Sequence, residues 1–328
     1  QALTPFNLLL ALGGVLLGTL IGALPGLSAT MAVAVLVPFT FAMPPASGLI
    51  ALGAIYTGAI YGGAFAAILV GALALLFLSP PLSKVALAFG PPEYFWLAIF
   101  GLTLISALSQ GDTLKGILGA AFGLFLATVG VAVVGGDVRY TLDQPMLVGG
   151  FDVIAALIGL YCIPVVIDLV ARPDPHLKVS VQAGGYRLAE ALRHCGQNWF
   201  NLVRSSVIGT VVGILPGAGG SIASLVSYSE ARRSSRHPER YGKGEPGGIL
   251  ATESANNATV GGGFIPTLVL GIPGTPPDAV ILGALLVQGI RTGPGLFTGQ
   301  GDIVFTFIFG LLIATVLMLP TGLLVGRY

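Results

Sequence analysis

The sequence predicts an all-α polytopic membrane protein, built from two related halves that carry broken helices and re-entrant hairpins. Three observations predict this class. Of the 328 residues, 54% are hydrophobic and 9% are charged, whereas soluble globular domains carry about 25% charged residues. Residues 1–83 contain no Asp, Glu, Lys or Arg, and two segments recur in the same order. At about 20 apolar residues per bilayer crossing, the charge-free segment has room for three or four crossings.

Charge and cysteine content exclude several classes of function. A formal net charge of +1 does not provide the basic patch that neutralises nucleic-acid phosphates. Cys162 lies in an apolar run and Cys195 in a polar linker, so the sequence favours neither a disulfide framework nor a zinc site. The histidines share no metal-ligand spacing, and no Ser/His/Asp set or carboxylate pair is visible. We therefore expect a protein that is not an enzyme and has no cofactor.

Apolar runs bounded by Gly, Pro and charged residues predict the membrane segments. Three of these runs are too short to cross a bilayer, and each follows a Pro-Gly or Gly-Pro break, which is typical of discontinuous helices and re-entrant hairpins. The short runs are 28–43, 218–231 and 277–291. The longer runs are 6–24, 47–70, 71–89, 93–108, 114–134, 150–170, 197–215, 248–271 and 301–326.

Two polar linkers define the predicted organisation. Residues 1–170 form the first transmembrane repeat, 171–196 a cytoplasmic linker, and 197–328 the second repeat. Residues 232–247 are also rich in Arg and Lys, so the positive-inside rule places both linkers in the cytoplasm. The segment 197–231 must then enter and leave the membrane from the same face, and we predict that it turns at LPGAGG.

An internal duplication accounts for the two halves. Residues 18–26, GTLIGALPG, and 209–217, GTVVGILPG, agree at six of nine positions. Residues 61–71, YGGAFAAILVG, resemble 261–271, GGGFIPTLVLG. The offsets are 213 − 22 = 191 and 262 − 62 = 200, and two ordered matches at similar offsets indicate a duplication. GAGGS is not followed by the Lys-Ser/Thr pair of a phosphate-binding loop.

Glycines recur every fourth residue in several runs. Such ladders let helix backbones approach closely in lipid, although some spacings of four arise by chance among 49 glycines. We predict a packing face for the first ladder in particular. The ladders are Gly14, Gly18 and Gly22; Gly58 with Gly62; Gly119 with Gly123; and Gly209 with Gly213.

The two Leu-Pro-Gly breaks are candidate binding sites. A helix broken inside the membrane exposes N–H and C=O groups that protein, water, an ion or a substrate must satisfy. Helix N-termini favour anions, and freed carbonyls favour cations. The alternative is that Ser28 and Ser221 only cap the helices that follow. The candidate substrate-binding residues are Ser28, Thr30, Gly219, Gly220, Ser221, Asn256, Asn257 and Thr275. The candidate ion-binding residues are Pro25, Gly26, Ala29, Gly217, Asn257, Gly261 and Thr275.

Two further polar segments lie in apolar surroundings. In TESANNAT, Glu253, Asn256 and Asn257 share a helix face, and the amides offer donors and acceptors together. The alternative for Glu253 is an interfacial ion pair with the basic linker. In LGIPGTPPDA, Thr275 is a candidate N-cap and Pro276 the first helical residue, which predicts a hairpin tip. The alternative is an ordinary turn outside the membrane.

These segments resemble the large membrane subunit of the tripartite tricarboxylate transporters, the TctA-like family. The resemblance covers nearly the whole chain and is carried by residues 22–41, 56–63, 89–104, 213–233 and 253–276. It implies two inverted repeats in a multi-pass protein of the bacterial inner membrane. It also implies carboxylate import driven by sodium or protons, with Na⁺ as a candidate coupling ion. The implied partners are a small four-helix membrane subunit and a periplasmic substrate-binding protein.

The sequence departs from the family pattern after Val70. There the family's first repeat continues into an Asn-Ile-Pro-Gly-Thr-Pro hairpin, whereas Val70 is followed here by GALALLFLSPPLSK. The family also continues beyond the position of Tyr328. Either the full protein contains a segment that this sequence omits, or the hairpin is deleted, which would cost the first repeat half of its site.

Ion-coupled transport is the function that these features favour. An anionic substrate would be bound by half-helix N-termini and by Ser, Thr and Asn side chains, since the apolar segments hold almost no cationic residue. The alternative is a passive channel or a scaffold subunit of a membrane complex. A channel needs a continuous polar lining, which this sequence lacks apart from the breaks.

Overall fold

The computed structural model describes residues 1–24, 27–60, 65–93, 95–97, 99–100, 113–132, 135–152, 155–156, 159–160, 163–171 and 188–325. The first-half helices are α1 (Pro5–Ala23), α2 (Ala29–Thr40), α3 (Pro45–Ala59), α4 (Phe65–Ala86), α5 (Thr113–Ala127) and α6 (Ile163–Ala171). The others are α7 (Leu188–Gln197), α8 (Trp199–Ile214), α9 (Gly219–Arg233), α10 (Pro246–Leu270), α11 (Pro276–Val287), α12 (Leu296–Gly299) and α13 (Gly301–Val325). Strands β1 (Gly130–Val131) and β2 (Val138–Arg139) form one small antiparallel ladder. The predicted helical class is confirmed.

Helix lengths match a membrane protein with several short segments. In the described part of the chain, three helices are long and apolar enough to cross a membrane: Pro5–Ala23, Ala66–Ala86 and Gly301–Val325. Three breaks were predicted to produce short helices, and α2, α9 and α11 have 12, 15 and 12 residues. At 1.5 Å per residue, helices of this length are too short for a hydrocarbon core of about 30 Å.

One predicted boundary is wrong. The runs 47–70 and 71–89 were separated at Gly71, but α3 ends at Ala59 and α4 begins at Phe65. Gly71 lies inside α4 and is a packing residue, since a side chain there would overlap the carbonyl oxygen of Ala258. Val70 and Gly71 are consecutive residues of α4.

Helices α8 and α9 form the predicted hairpin. The chain turns between Ile214 and Gly219, and the opposite ends of the two helices come together. There the Arg204 guanidinium lies 3.9 Å from the Glu230 carboxylate and donates a hydrogen bond to Ser234. The two helices therefore run back alongside each other, which is the hairpin geometry that the sequence predicts.

The two halves repeat one helix contact. In each half, the first helix places its glycine ladder directly against the backbone of a later helix. The facing pairs are Gly18 with Ile55 and Gly22 with Ala59 in the first half, and Gly209 with Ala255 and Gly213 with Thr259 in the second. The glycines differ in number by 209 − 18 = 191 and their partners by 255 − 55 = 200, the same offsets as the repeated motifs. The structure thus supports the duplication.

Not every glycine ladder lies at a contact between helices. Gly14 faces Ala54, and Gly58 faces the carbonyl of Val15, so the first ladder and Gly58 pack as predicted, whereas Gly62 lies outside the described residues. Gly119 and Gly123 differ, because a side chain at either position would meet nothing within 4 Å in the described structure. Spacing alone therefore does not separate packed glycines from open ones.

The Leu-Pro-Gly motifs end their helices in the same way. Leu24 has φ −81° and ψ 124°, and Leu215 has φ −78° and ψ 113°. Each leucine N–H donates to the carbonyl three residues earlier, and both bonds are 3.1 Å long. The proline that follows excludes the α conformation at the leucine, so each helix ends there. Pro25 and Gly26 lie outside the described residues.

The tight α1/α3 contact leads to a stability prediction. Gly18→Ala is expected to lower the free energy of unfolding by about 1–3 kcal/mol, because the new methyl group would overlap the Ile55 carbonyl. Gly123→Ala is the matched control, since that glycine is helical and open and Ala is the better helix former. The stability of both variants is measured by thermal unfolding in detergent, with circular dichroism as the signal. Equal stability of the two variants would contradict the packing role of Gly18.

Candidate functional site

The second Leu-Pro-Gly break and the α10/α11 connection meet inside the protein. The Gly217 N–H donates to the Gly274 carbonyl at 2.8 Å, and Gly217 has φ +80°, a conformation that favours glycine. A side chain at Gly274 would lie 2.5 Å from the Cα atom of Gly263 and 2.8 Å from the Gly213 carbonyl oxygen. We call the contact between Gly217 and Gly274 the break junction. The α10/α11 turn is thus packed into the protein rather than being an ordinary exposed turn.

Helix α9 begins at this junction without a side-chain cap. Its N-cap is Ala218, which has no acceptor side chain, so the N–H groups of Gly219, Gly220 and Ser221 start the helix without a capping hydroxyl. Such N–H groups form the positive end of a helix and favour an anion. Ser221 is an exposed residue inside the helix, so the expectation that it caps α9 is wrong. The N-cap position that Ser221 was expected to fill is occupied by Ala218.

The helix that follows the first Leu-Pro-Gly break has a side-chain N-cap. Ser28 is the N-cap of α2, and its hydroxyl accepts from the Met31 N–H at 3.3 Å, so the capping interpretation of Ser28 is confirmed. Ala29 is the first residue of α2, and Thr30 is buried. Helix α2 packs against α11, the helix that follows Thr275.

Asn256 and Asn257 face different surroundings. Asn256 is half-buried, and its side-chain oxygen occupies the space beside Gly220, where a side chain would overlap it. Asn257 is fully buried, and neither its oxygen nor its nitrogen has a hydrogen-bond partner. Most buried polar groups in folded proteins are paired. Asn257 is therefore the predicted site residue with the clearest unmet binding capacity.

Glu253 and Gly261, on the same helix as the two asparagines, have different surroundings. Glu253 is half-buried and forms no ion pair within the described structure, so the expected pairing with the basic linker is not found there. Gly261 lies where α10 crosses α4, and a side chain there would overlap the backbone of Gly71. Its visible role is to bring these two helices together.

Sequence reasoning missed two residues beside the hairpin tip. Asp278, in the first turn of α11, is fully buried and accepts a hydrogen bond from the Thr275 hydroxyl at 2.6 Å. The Tyr56 hydroxyl lies 3.0 Å from the same Thr275 oxygen. Thr275 occupies the predicted N-cap position, but its side chain makes no capping bond. A carboxyl group in a short apolar helix was the available signal, although an acidic first turn is common in helices.

Two kinds of comparison identify related proteins. The model of the Tripartite tricarboxylate transporter TctA family matches residues 8–72 and 65–328. The two matched ranges meet where the sequence departs from the family pattern after Val70. An uncharacterized 52.8 kDa protein in the TAR-I ttuC' 3' region of Agrobacterium vitis is 34% identical over 370 residues, which cover 100% of this chain and 73% of the relative.

A second relative covers less of the chain. An uncharacterized protein in the TAR-II ttuC' 3' region of Agrobacterium vitis is 40% identical over 121 residues, which cover 37% of this chain and 50% of the relative. No solved structure matches.

Proposed function

We propose a function from the premise that this chain belongs to the tripartite tricarboxylate transporter TctA family: it is the membrane subunit that moves a carboxylate across the bilayer. Carboxylate import is coupled to a sodium or proton gradient, and a periplasmic binding protein delivers the substrate. The working complex also contains a small four-helix membrane subunit and lies in the bacterial inner membrane. The halves act as inverted repeats that expose the site alternately to each side.

The unpaired amide of Asn257 carries this proposal. A buried side chain without partners loses its bonds to water and gains none in return, which costs about 1–3 kcal/mol. A ligand that completes the missing hydrogen bonds is one reason for a protein to retain such a group. An amide suits a carboxylate because its N–H₂ group donates to the anion while its oxygen accepts from a hydroxyl or binds a cation.

The second supporting feature is the start of α9. Its first N–H groups have no side-chain cap, and they follow the break junction directly. The two helix segments that flank Gly217 offer no cationic side chain that could bind the anion instead, since the sequence from Val207 to Ser229 contains no Lys or Arg. We therefore propose that the substrate anion binds through backbone N–H groups of Gly219 and Gly220 with the amides of Asn256 and Asn257, as occurs at helix N-termini.

Substrate protection of an engineered cysteine tests this site. Ala218→Cys, made in a variant in which both native cysteines are replaced by Ser, places a thiol at the N-cap of α9. In the reconstituted complex, citrate is expected to slow maleimide labelling of this thiol. Ser229→Cys is the matched control, because it lies on the same helix about 16 Å away and is exposed. Identical labelling of Ala218→Cys with and without citrate would contradict binding at the start of α9.

A further inference from the structure

Asp278 has an unused oxygen inside the protein. Its side chain is fully buried, one oxygen accepts from Thr275, and the other, Oδ1, has no hydrogen-bond partner. Asp three residues after a Thr N-cap is typical of a capping box. That motif requires the Thr hydroxyl to accept a backbone N–H, but Thr275 makes no such bond. The carboxyl group does interact with the Thr275 backbone N–H, which is the carboxyl half of a capping box, but this interaction does not account for the unpaired Oδ1.

Two hydroxyl groups link Asp278 to the first half of the protein. A hydroxyl has one hydrogen, and Thr275 donates its hydrogen to Asp278. The contact of 3.0 Å between Thr275 and Tyr56 must then have the tyrosine as donor. The result is a buried chain from Tyr56 in α3 through Thr275 to Asp278. When the carboxyl group is protonated, the same chain can reverse its direction without any movement of heavy atoms.

The described surroundings contain no cationic side chain to balance a carboxylate. Helix α11 packs against α2, α3 and α10, and none of these four helices contains Lys, Arg or His. Their titratable side chains are Tyr56, Glu253 and Asp278. Gly263 of α10 lies against Asp278. Glu253 lies ten residues before Gly263 in the same helix, or about 15 Å along its axis. An isolated buried charge costs several kcal/mol, and a proton removes that cost.

We propose that Asp278 binds and releases the coupling proton of the transport cycle, with Tyr56 and Thr275 as positioning residues. The step is the reversible conversion of a carboxylate and one proton into a carboxylic acid. The inference rests on the proposed function and deepens it by naming the ion and its site. Sodium fits less well, because the hydroxyl oxygens beside the carboxyl group are already engaged in the hydrogen-bond chain.

Asp278→Asn separates proton coupling from substrate movement, because it keeps the side-chain size and removes the titration. In proteoliposomes containing the complete complex, the variant is expected to lose citrate accumulation driven by a pH gradient. It should retain exchange of external for internal citrate, which requires no net proton movement. Asp302→Asn is the matched control, since Asp302 is an exposed residue in the first turn of α13, and both activities should persist.

Three results would overturn the proton site. In the first, citrate accumulation by the wild-type protein follows a sodium gradient and does not depend on pH. In the second, Asp278→Asn still accumulates citrate when a pH gradient is imposed. In the third, folded Asp278→Asn loses both exchange and accumulation. If wild-type protein exchanges neither citrate nor any other di- or tricarboxylate offered, the proposed function fails, and infrared spectroscopy still tests the site. The purified wild-type protein is expected to show a carboxylic-acid band that titrates with pH and shifts in Thr275→Val. Absence of that band would refute the proposal.

Discussion

Asn257→Ala is expected to abolish most carboxylate uptake without weakening the fold. A hydrogen bond to a charged group contributes about 1.5–3 kcal/mol, so its loss should weaken substrate affinity about 10- to 100-fold. The Asn257 amide has no partner in the protein, so its removal leaves no protein group unpaired. Unfolding stability should therefore stay unchanged or rise. Citrate uptake and thermal unfolding, measured on the same preparation, test both expectations.

Asn201→Ala is the matched control for this result. The Asn201 amide donates to the Gly247 carbonyl at 3.0 Å and accepts from Arg204 at 2.8 Å. Its truncation leaves the Gly247 carbonyl without this donor and removes one acceptor of Arg204, so it should lower stability by about 1–3 kcal/mol, with substrate affinity retained. A destabilised Asn257→Ala variant with normal affinity would reverse the expected pattern and assign Asn257 a purely structural role.

Gly274→Ala is expected to damage both stability and transport. The added methyl group would lie 2.5 Å from the Gly263 Cα atom and 2.8 Å from the Gly213 carbonyl oxygen. Backbone atoms cannot rotate away, so the hairpin tip must move off α8 and α10, at a cost of about 1–3 kcal/mol. That movement would also lengthen the break junction to Gly217. Thermal unfolding and citrate uptake are the two measurements.

Gly295→Ala provides the comparison for Gly274→Ala. A side chain at Gly295 meets nothing within 4 Å, so this variant should keep wild-type stability and uptake. If Gly274→Ala behaved in the same way, the break junction could not be a rigid part of the site. If it lost stability but kept full uptake, the junction would support the fold without shaping the substrate site.

Much of the fold was predictable because membrane segments leave strong local signals. Proline and glycine mark the ends of α1 and α8 at Leu24 and Leu215, and the repeated motif predicted that both helices break. The boundary near Gly71 was wrong because a glycine in an apolar run can either end a helix or pack one. Only the position of α10 beside α4 shows that Gly71 packs.

The site was predictable only in part. The sequence identified Asn257 as a polar group in an apolar helix, but its lack of partners depends on the packing around it. Ser28 and Ser221 follow equivalent breaks, yet one caps a helix and the other is exposed. Tyr56 and Asp278 are separated by more than half of the chain. Their connection through Thr275 follows from the packing of α3 against the hairpin tip, which no local pattern reveals.

Citrate accumulation by the reconstituted system is the most direct test of ion-coupled carboxylate import. Proteoliposomes would contain this chain and its small membrane partner, with the binding protein added outside and an ion gradient imposed. Citrate is expected to accumulate above its external concentration only when the binding protein and the gradient are both present. Citrate entry that merely equilibrates, and that needs neither the binding protein nor a gradient, would show a passive channel and rule out ion-coupled transport by this chain.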